Sequence, residues 1–313
     1  MGYERISRRQ FLAQASASAA LVAMGGRPSY AASNAPGLTM PIAVFSKVYQ
    51  ELNLSLEESA EVTAQAGLDG IDCAVRPGGE ILPEQAAAEM PRYAALLEKQ
   101  RARMLLLTTS IVNPTSPHAE TILRTAKRLG IQYYRLGYWT QNPSKPAEQL
   151  RANIKAQLKE LAALNREIGV CALFQNHSSP PGKSNGHAGG DLNELYELTK
   201  GLNPEQVAVA FDFGHALITH GEEWKTHFEK LKPQIKVAYI KDVKRGRGFV
   251  PFGEGEFAGS DIFHELKRMN YQAPLSFHIE FDWAGKGTTK TRPALVKTLA
   301  DSRRVLGQWL AAA

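Results

Sequence analysis

Eight short strings in this chain place polar and titratable side chains at the ends of apolar runs. They are Phe45-Ser46-Lys47, Val75-Arg76-Pro77-Gly78-Gly79, Thr108-Thr109-Ser110, Arg135-Leu136-Gly137-Tyr138-Trp139, Phe174-Gln175-Asn176-His177, Phe211-Asp212-Phe213-Gly214-His215, Tyr239-Ile240-Lys241-Asp242 and Phe277-His278-Ile279-Glu280. In extended backbone, side chains two apart share a face. That spacing pairs Gln175 with His177, Tyr239 with Lys241, and His278 with Glu280. Imidazoles and carboxylates gathered at one point move protons near neutral pH. Carboxylate and amide oxygens with an imidazole also suit a divalent cation such as Mn, Mg or Zn. Each string has a plainer reading as well. Asp212 suits an N-cap before Gly214-His215-Ala216, and His278 a satisfied core histidine.

The strings act together only if a scaffold delivers all eight ends to one place. Strand patterns fall at residues 42–46, 70–75, 103–108, 133–136, 170–174, 207–211, 236–240 and 275–279. They are almost continuously apolar, as parallel strands buried on both faces are. Helical patterns alternate with them at 55–66, 91–99, 117–129, 147–168, 191–199, 224–231, 260–269 and 292–310. Ser55 with Glu58 forms a capping-box start, and Gly67, Gly130 and Gly169 stand where helices stop. Pro91 opens the second helix, where a missing amide hydrogen costs nothing. Eight alternations predict an α/β fold of one domain, a (β/α)8 TIM barrel over residues 40–313. An open dinucleotide-binding sheet would need Gly-x-Gly-x-x-Gly after its first strand, and none follows here. In a closed barrel the strand ends share one mouth, where active sites sit. The longest irregular stretches, 176–190 and 243–259, follow strands five and seven.

Composition narrows the functional classes. Of 313 residues 43% are hydrophobic and 22% charged, which is ordinary for a globular chain. Two cysteines, Cys73 and Cys171, rule out a disulfide scaffold and a four-cysteine zinc site. Apolar neighbours make both read as small core fillers. No apolar run reaches the ~20 residues of a membrane span.

The start of the chain reads as an address. Ser7-Arg8-Arg9-Gln10-Phe11-Leu12 precedes an Ala-rich apolar stretch and the small-x-Ala site Ser29-Tyr30-Ala31. That order is a secretory signal, and the paired arginines resemble a twin-arginine signal in particular. Residues 1–31 are therefore expected to be removed, 32–39 to be a linker, and the protein to be periplasmic or otherwise exported. The first 31 residues carry four arginines and one glutamate, half of the net charge of +6. No run of five Lys or Arg remains, so nucleic acid is not an expected partner.

Several strings together resemble the xylose isomerase-like TIM barrels, a superfamily of sugar isomerases, epimerases and apurinic endonucleases. They are Gly67-Leu68-Asp69-Gly70-Ile71-Asp72, Phe211-Asp212-Phe213-Gly214-His215-Ala216, Ile240-Lys241-Asp242, Val250-Pro251-Phe252-Gly253-Glu254-Gly255 and the Glu280 ending. Val75-Arg76-Pro77-Gly78-Gly79 and Gln175-Asn176-His177-Ser178 look like an exported subgroup described as sugar isomerase/epimerase-like. The resemblance implies one divalent metal held by Glu, Asp, His and Glu from strands five to eight. Asp212 and Glu280 match that set; Gln175 stands for the first Glu and Tyr239 for the His. The resemblance thus leaves Gln175, Asp212 and Glu280 as metal ligands, with an altered site.

The function so implied is proton transfer next to the carbonyl of an unphosphorylated sugar or keto-sugar, metal-assisted. Glu280 would be the base, His177 and His278 proton carriers, and Lys241 the cation that steadies enolate charge, with Asp242 behind it. Lys47, Arg76 and Arg135 would hold hydroxyls or a carboxylate, and Tyr138, Trp139, His215 and Trp283 would line the sugar. Two alternatives stay open: a keto-sugar or glycoside lyase on the same site, and a sugar-binding barrel without turnover. Oligomeric state is left open.

Overall fold

The computed structural model describes residues 40–140, 146–178, 186–257 and 261–313. The expected signal, 1–31, and linker, 32–39, lie outside the described residues. From Met40 to Ala313 the chain forms one compact unit.

Eight parallel strands close into a barrel. They are β1 (Ile42–Phe45), β2 (Gly70–Val75), β3 (Arg103–Thr109), β4 (Tyr133–Arg135), β5 (Cys171–Gln175), β6 (Val207–Asp212), β7 (Ile235–Ile240) and β10 (Leu275–Phe277). A two-stranded antiparallel hairpin, β8 (Val243–Lys244) with β9 (Gly248–Phe249), rises from the end of β7. The barrel order is β1-β10-β7-β6-β5-β4-β3-β2, so β10 closes onto β1 with Ile42 opposite Leu275. The expected (β/α)8 architecture is the one observed.

Boundaries differ in ways that matter to the site. β5 and β6 each run one residue further than their apolar runs, taking in Gln175 and Asp212. Neighbouring strands supply ladder partners there, Gln175 opposite Ala210 and Asp212 opposite Tyr239, so polar residues stay in the sheet. β10 stops at Phe277, and His278 is tied on by its amide to the Ile240 carbonyl at 3.0 Å.

The helices follow their caps. Ser55 accepts from the Glu58 amide at 3.2 Å and Glu58 accepts from the Ser55 amide at 2.8 Å, the reciprocal box the sequence predicts. Gly169 ends the Ala147–Ile168 helix at a φ of 80°. The second helix corrects the sequence reading. It spans Ala86–Lys99, with Pro91 inside it, continuing a 3-10 turn at Pro83–Gln85. Helices Lys47–Gln50 and Phe213–His220 were not legible as separate elements.

Period-two alternation builds the lumen. Leu106, Cys171, Leu173, Ala208, Ala210, Val237 and Tyr239 pack as its apolar filling. Gln175, Asp212 and Lys241 lie two residues beyond Leu173, Ala210 and Tyr239, on the same faces and at the mouth. Cys73 and Cys171 are buried free thiols. Among the described residues no helix is long and apolar enough to cross a membrane.

Candidate active site

At the mouth, Asp212 is the hub. Its Oδ1 accepts from the His215 amide at 3.1 Å and caps the Phe213–His220 helix. Its Oδ2 accepts from Gln175 Nε2 at 2.8 Å and from the Lys241 ammonium. Asp212 is therefore the N-cap of that helix through one oxygen and meets Gln175 and Lys241 through the other. Asn176 fixes the hub by its backbone, donating from Nδ2 to the Asp212 carbonyl at 2.9 Å and accepting its amide at 2.7 Å. A Cβ on Gly214 would lie 2.9 Å from Lys241 Cβ, so glycine lets the capped helix seat against β7.

Lys241, 1% exposed, also stands 3.7 Å from Glu280 Oε1 and 5.7 Å from the centre of the Phe249 ring. Glu280 is 25% exposed and lines a cavity of about 740 Å³. His177, Ser178 and His215 line the same cavity, and its outer wall is Leu217, Ile218 and the β8–β9 hairpin. Burial pushes the Glu280 pKa up, but Lys241 and His278 outweigh it and hold the carboxyl well below its usual range. His278 Nδ1 is 3.8 Å from Glu280 Oε1, while its Nε2 is buried without a partner.

The imidazoles are neutral at pH 7. Burial, with Lys241 adding to it, lowers His177 to about 4 and lowers His215 and His278 as well. His177 Nδ1 is 2.9 Å from the Ser178 carbonyl oxygen. A carbonyl only accepts, so the proton sits on Nδ1 and Nε2 keeps its lone pair. His215 Nδ1 is 2.8 Å from Ser178 Oγ, and its ring centre is 3.9 Å from that of His177.

Gln175 is held at both ends. Its Oε1 accepts from Arg135 Nη1 at 2.7 Å and from the Tyr138 hydroxyl at 3.2 Å, while Nε2 serves Asp212. A guanidinium needs an acceptor and a carboxylate a donor, so these neighbours fix the amide's orientation. Arg135 is 3% exposed and lies over the Tyr138 ring, which stacks on His187 with centres 4.2 Å apart. Arg76 lies over Phe45, whose ring is 4.8 Å from that of His278. From β2 through β4, β5, β6 and β7 to the end of β10, Arg76, Arg135, Gln175, Asp212, Lys241, Glu280 and His278 thus ring the mouth.

Other expected site residues are elsewhere. Tyr239 does not reach the mouth with Lys241; it is part of the lumen filling, its hydroxyl buried without a hydrogen-bond partner. Lys47 is exposed and opens the short helix Lys47–Gln50. Trp139 is buried against Phe174 and donates from Nε1 to Gln157 at 2.7 Å. Trp283 donates from Nε1 to Glu51 at 2.9 Å and carries Lys290 over its ring, so it packs the rim. Asp242 does not back Lys241. It gathers the 250–257 loop, accepting from the Gly253 amide at 2.8 Å and the Gly255 amide at 3.0 Å.

A resident divalent metal does not fit these side chains. Among the described residues no group of three or more His, Cys, Asp or Glu is placed to hold an ion. The Gln175 oxygen proposed as a ligand is spent on Arg135 and Tyr138, and Asp212 Oδ2 carries an ammonium. Between Asp212 and Glu280 the positive charge present is that of Lys241.

A family model described as xylose isomerase-like TIM barrel matches residues 60–302. The chain belongs to that family. Solved structures share its fold at low identity. The apo 3-keto-D-glucoside 4-epimerase of E. coli is 14% identical with a TM-score of 0.61, covering 85% of this chain and 99% of that one. The D-psicose 3-epimerase of Clostridium cellulolyticum H10, solved with D-tagatose, is 12% identical with a TM-score of 0.62, covering 82% and 94%. A protein assigned as the 3-DHS dehydratase of petrobactin synthesis in Bacillus anthracis is 14% identical with a TM-score of 0.62, covering 86% and 99%. No curated protein matches.

Sequence reasoning missed Asn176 as the residue that fixes Asp212, and His187 as the stacking partner of Tyr138. Asn176 had a signal, since it stands beside Gln175 in a strand-end string. His187 had none, being eleven residues beyond Asn176 in a loop.

Proposed function

We propose that this family member is an exported sugar isomerase/epimerase-like enzyme. It moves a proton next to the carbonyl of an unphosphorylated sugar or keto-sugar. One observation carries the reading: an ionised carboxylate open to a cavity, Glu280, stands 3.7 Å from a buried ammonium, Lys241. A base and a fixed cation side by side are what enolisation needs.

The carbon–hydrogen bond next to the carbonyl breaks, its proton passes to a Glu280 oxygen, and the electron pair moves onto the carbonyl oxygen. Lys241 donates a hydrogen bond to that oxygen and offsets its charge. Glu280 is ionised but weakly basic, so polarisation by Lys241 must acidify the carbon. Isomerisation follows when Glu280 returns the proton to the former carbonyl carbon while the proton of the neighbouring hydroxyl passes to the first oxygen, so that the carbonyl re-forms one carbon along. Epimerisation needs a second carrier on the opposite face, and His177, with its free Nε2, is the residue offered. The cation in this scheme is Lys241 rather than a metal.

A lyase reading has one observation in its favour. Gln175 cannot take a proton, so no second carboxylate stands at the β5 position. One base suffices for proton removal followed by loss of a leaving group from the neighbouring carbon. Export rests on the Arg8-Arg9 signal pattern.

The test is NMR in heavy water with a panel of aldoses, ketoses and oxidised glycosides. The expected result is deuterium entering the carbon next to the carbonyl, lost in Glu280→Gln with the fold intact. Sugar binding without exchange at any carbon would replace this reading with a non-catalytic barrel.

A further inference from the structure

Two guanidiniums at the mouth have no counter-charge of their own. Arg135 is buried, and its two side-chain hydrogen bonds go to neutral oxygens, the Tyr138 hydroxyl and Gln175 Oε1. Both use Nη1, so Nη2 and Nε are left for another acceptor. Arg76 lies over the Phe45 ring with its Nε buried and unpartnered. Among the described residues neither guanidinium has a carboxylate oxygen within 4.0 Å. Asp72, the acid they sense from further off, is buried and engaged, accepting from Thr108 Oγ1 at 2.9 Å and Ser276 Oγ at 3.1 Å.

Buried charges are ordinarily paired, because desolvating a lone cation is expensive. These two also repel one another: burial first, and Arg135 next, lower the Arg76 pKa. The opposite side of the ring carries one cation, Lys241, against two carboxylates, Asp212 and Glu280. Unmet donor capacity therefore lies at the ends of β2 and β4, on the same barrel mouth as Glu280. A guanidinium fork suits a planar oxyanion.

We propose that Arg76 and Arg135 form a carboxylate subsite, so that the substrate is a sugar acid such as a uronate or a keto-aldonate. This rests on the reading of the barrel mouth as a sugar site and names its substrate class; neither guanidinium lines the Glu280 cavity, so the substrate has to reach from that cavity to the ends of β2 and β4. The carboxylate sits at Arg76 and Arg135, which directs the carbonyl end of the same molecule toward Lys241 and Glu280. A neutral hexose would leave the two cations unanswered.

The experiment is direct binding, by calorimetry and thermal shift, on the chain from Met40 onward, the unit that carries its own barrel. The probes are D-glucuronate, D-galacturonate and D-mannuronate, each beside its parent hexose and its hexose 6-phosphate. At least one uronate should bind tighter than its parent by roughly tenfold or more, as charged hydrogen bonds allow. That preference should vanish in Arg76→Met and weaken with added salt. Arg135→Lys, which keeps the charge but not the fork, should lose most of it with the Tm near the parent value. A hexose bound as tightly as its acid, a tighter 6-phosphate, or no binding by any acid overturns the proposal. Binding does not require turnover. Deuterium exchange in neutral sugars alone would therefore remove the subsite and leave the proton-transfer reading standing. Uronate binding without exchange would do the reverse.

Discussion

The Lys241 ammonium rests on the Asp212 carboxylate, with both side chains fully buried at the barrel mouth. Gln175 donates to the same oxygen, and Glu280 stands on the far side of the ammonium. One cation thus serves two carboxylates, one sealed and one open to the cavity. Asp212 holds Lys241 in place, which leaves Glu280 free to meet a substrate.

Removing the ammonium alone should be costly. Lys241→Met strands Asp212 in a dry site, and breaking a buried pair this way costs about 3–5 kcal/mol. Urea unfolding should show that loss, and the double variant Lys241→Met with Asp212→Asn should recover part of it. A single variant as stable as the parent would mean that the pair is not a buried ion pair in solution.

Metal content follows from the donor set. Protein purified without chelator should hold no stoichiometric Mn, Mg or Zn, and its Tm should not move with EDTA or added Mn. Metal found at one equivalent in the parent protein would refute the assignment of Lys241 as the resident cation.

Acid should weaken the fold before it touches Glu280. His177 drops from an ordinary 6.5 to about 4 in the folded protein, and His215 and His278 also fall. Between those values the unfolded chain binds more protons than the native one, so stability falls as pH is lowered from about 6.5 toward 4. Glu280 has the opposite kind of group and the same direction of effect: its depressed carboxyl stabilises the fold above the ordinary carboxylate range and is lost only at lower pH. Unfolding free energy measured at pH 5 and pH 7.5 should differ, and His177→Asn should narrow the gap. Glu80, raised to about 7 by burial, works in the opposite direction over the same range, so the His177→Asn difference carries the test: no narrowing would show that His177 is not desolvated.

The loop after the hairpin depends on Gly255. A Cβ there would lie 1.9 Å from Asp242 Oδ1 and 2.6 Å from the Val243 carbonyl oxygen. Gly255→Ala should cost about 1–3 kcal/mol through overpacking and should speed amide exchange across 250–257. Exchange unchanged in that segment would mean that Asp242 does not organise it.

Much of the architecture was readable in order along the chain. Eight apolar runs alternating with capped helices require parallel strands with crossover helices, and the caps at Ser55 and Gly169 fall where expected. Pro91 misled because proline usually marks a helix start, whereas here it sits inside the helix at the cost of one backbone hydrogen bond, and burial of Ala86, Met90, Tyr93 and Leu97 carries the helix through it. The membership of the mouth was also largely legible, since closure of the eight strands brings the ends that carry Arg76, Arg135, Gln175, Asp212, Lys241 and Glu280 to one mouth. Past the strand ends, where Arg76, Lys241 and Glu280 also lie, the ladder no longer sets a face, so spacing could not tell Lys47, Trp139 and Trp283 apart from them.

The sequence by itself determined that eight strand ends share one mouth and named most of the residues near it, because strand periodicity and closure of eight strands are local and topological facts. Which of them touch was decided only by the tertiary structure. Gln175 spends its oxygen on Arg135, Lys241 settles on Asp212, and Asp242 turns away to bind the 250–257 loop. Those choices are made among groups far apart in the chain, where desolvation presses buried donors toward acceptors and each pairing removes an alternative.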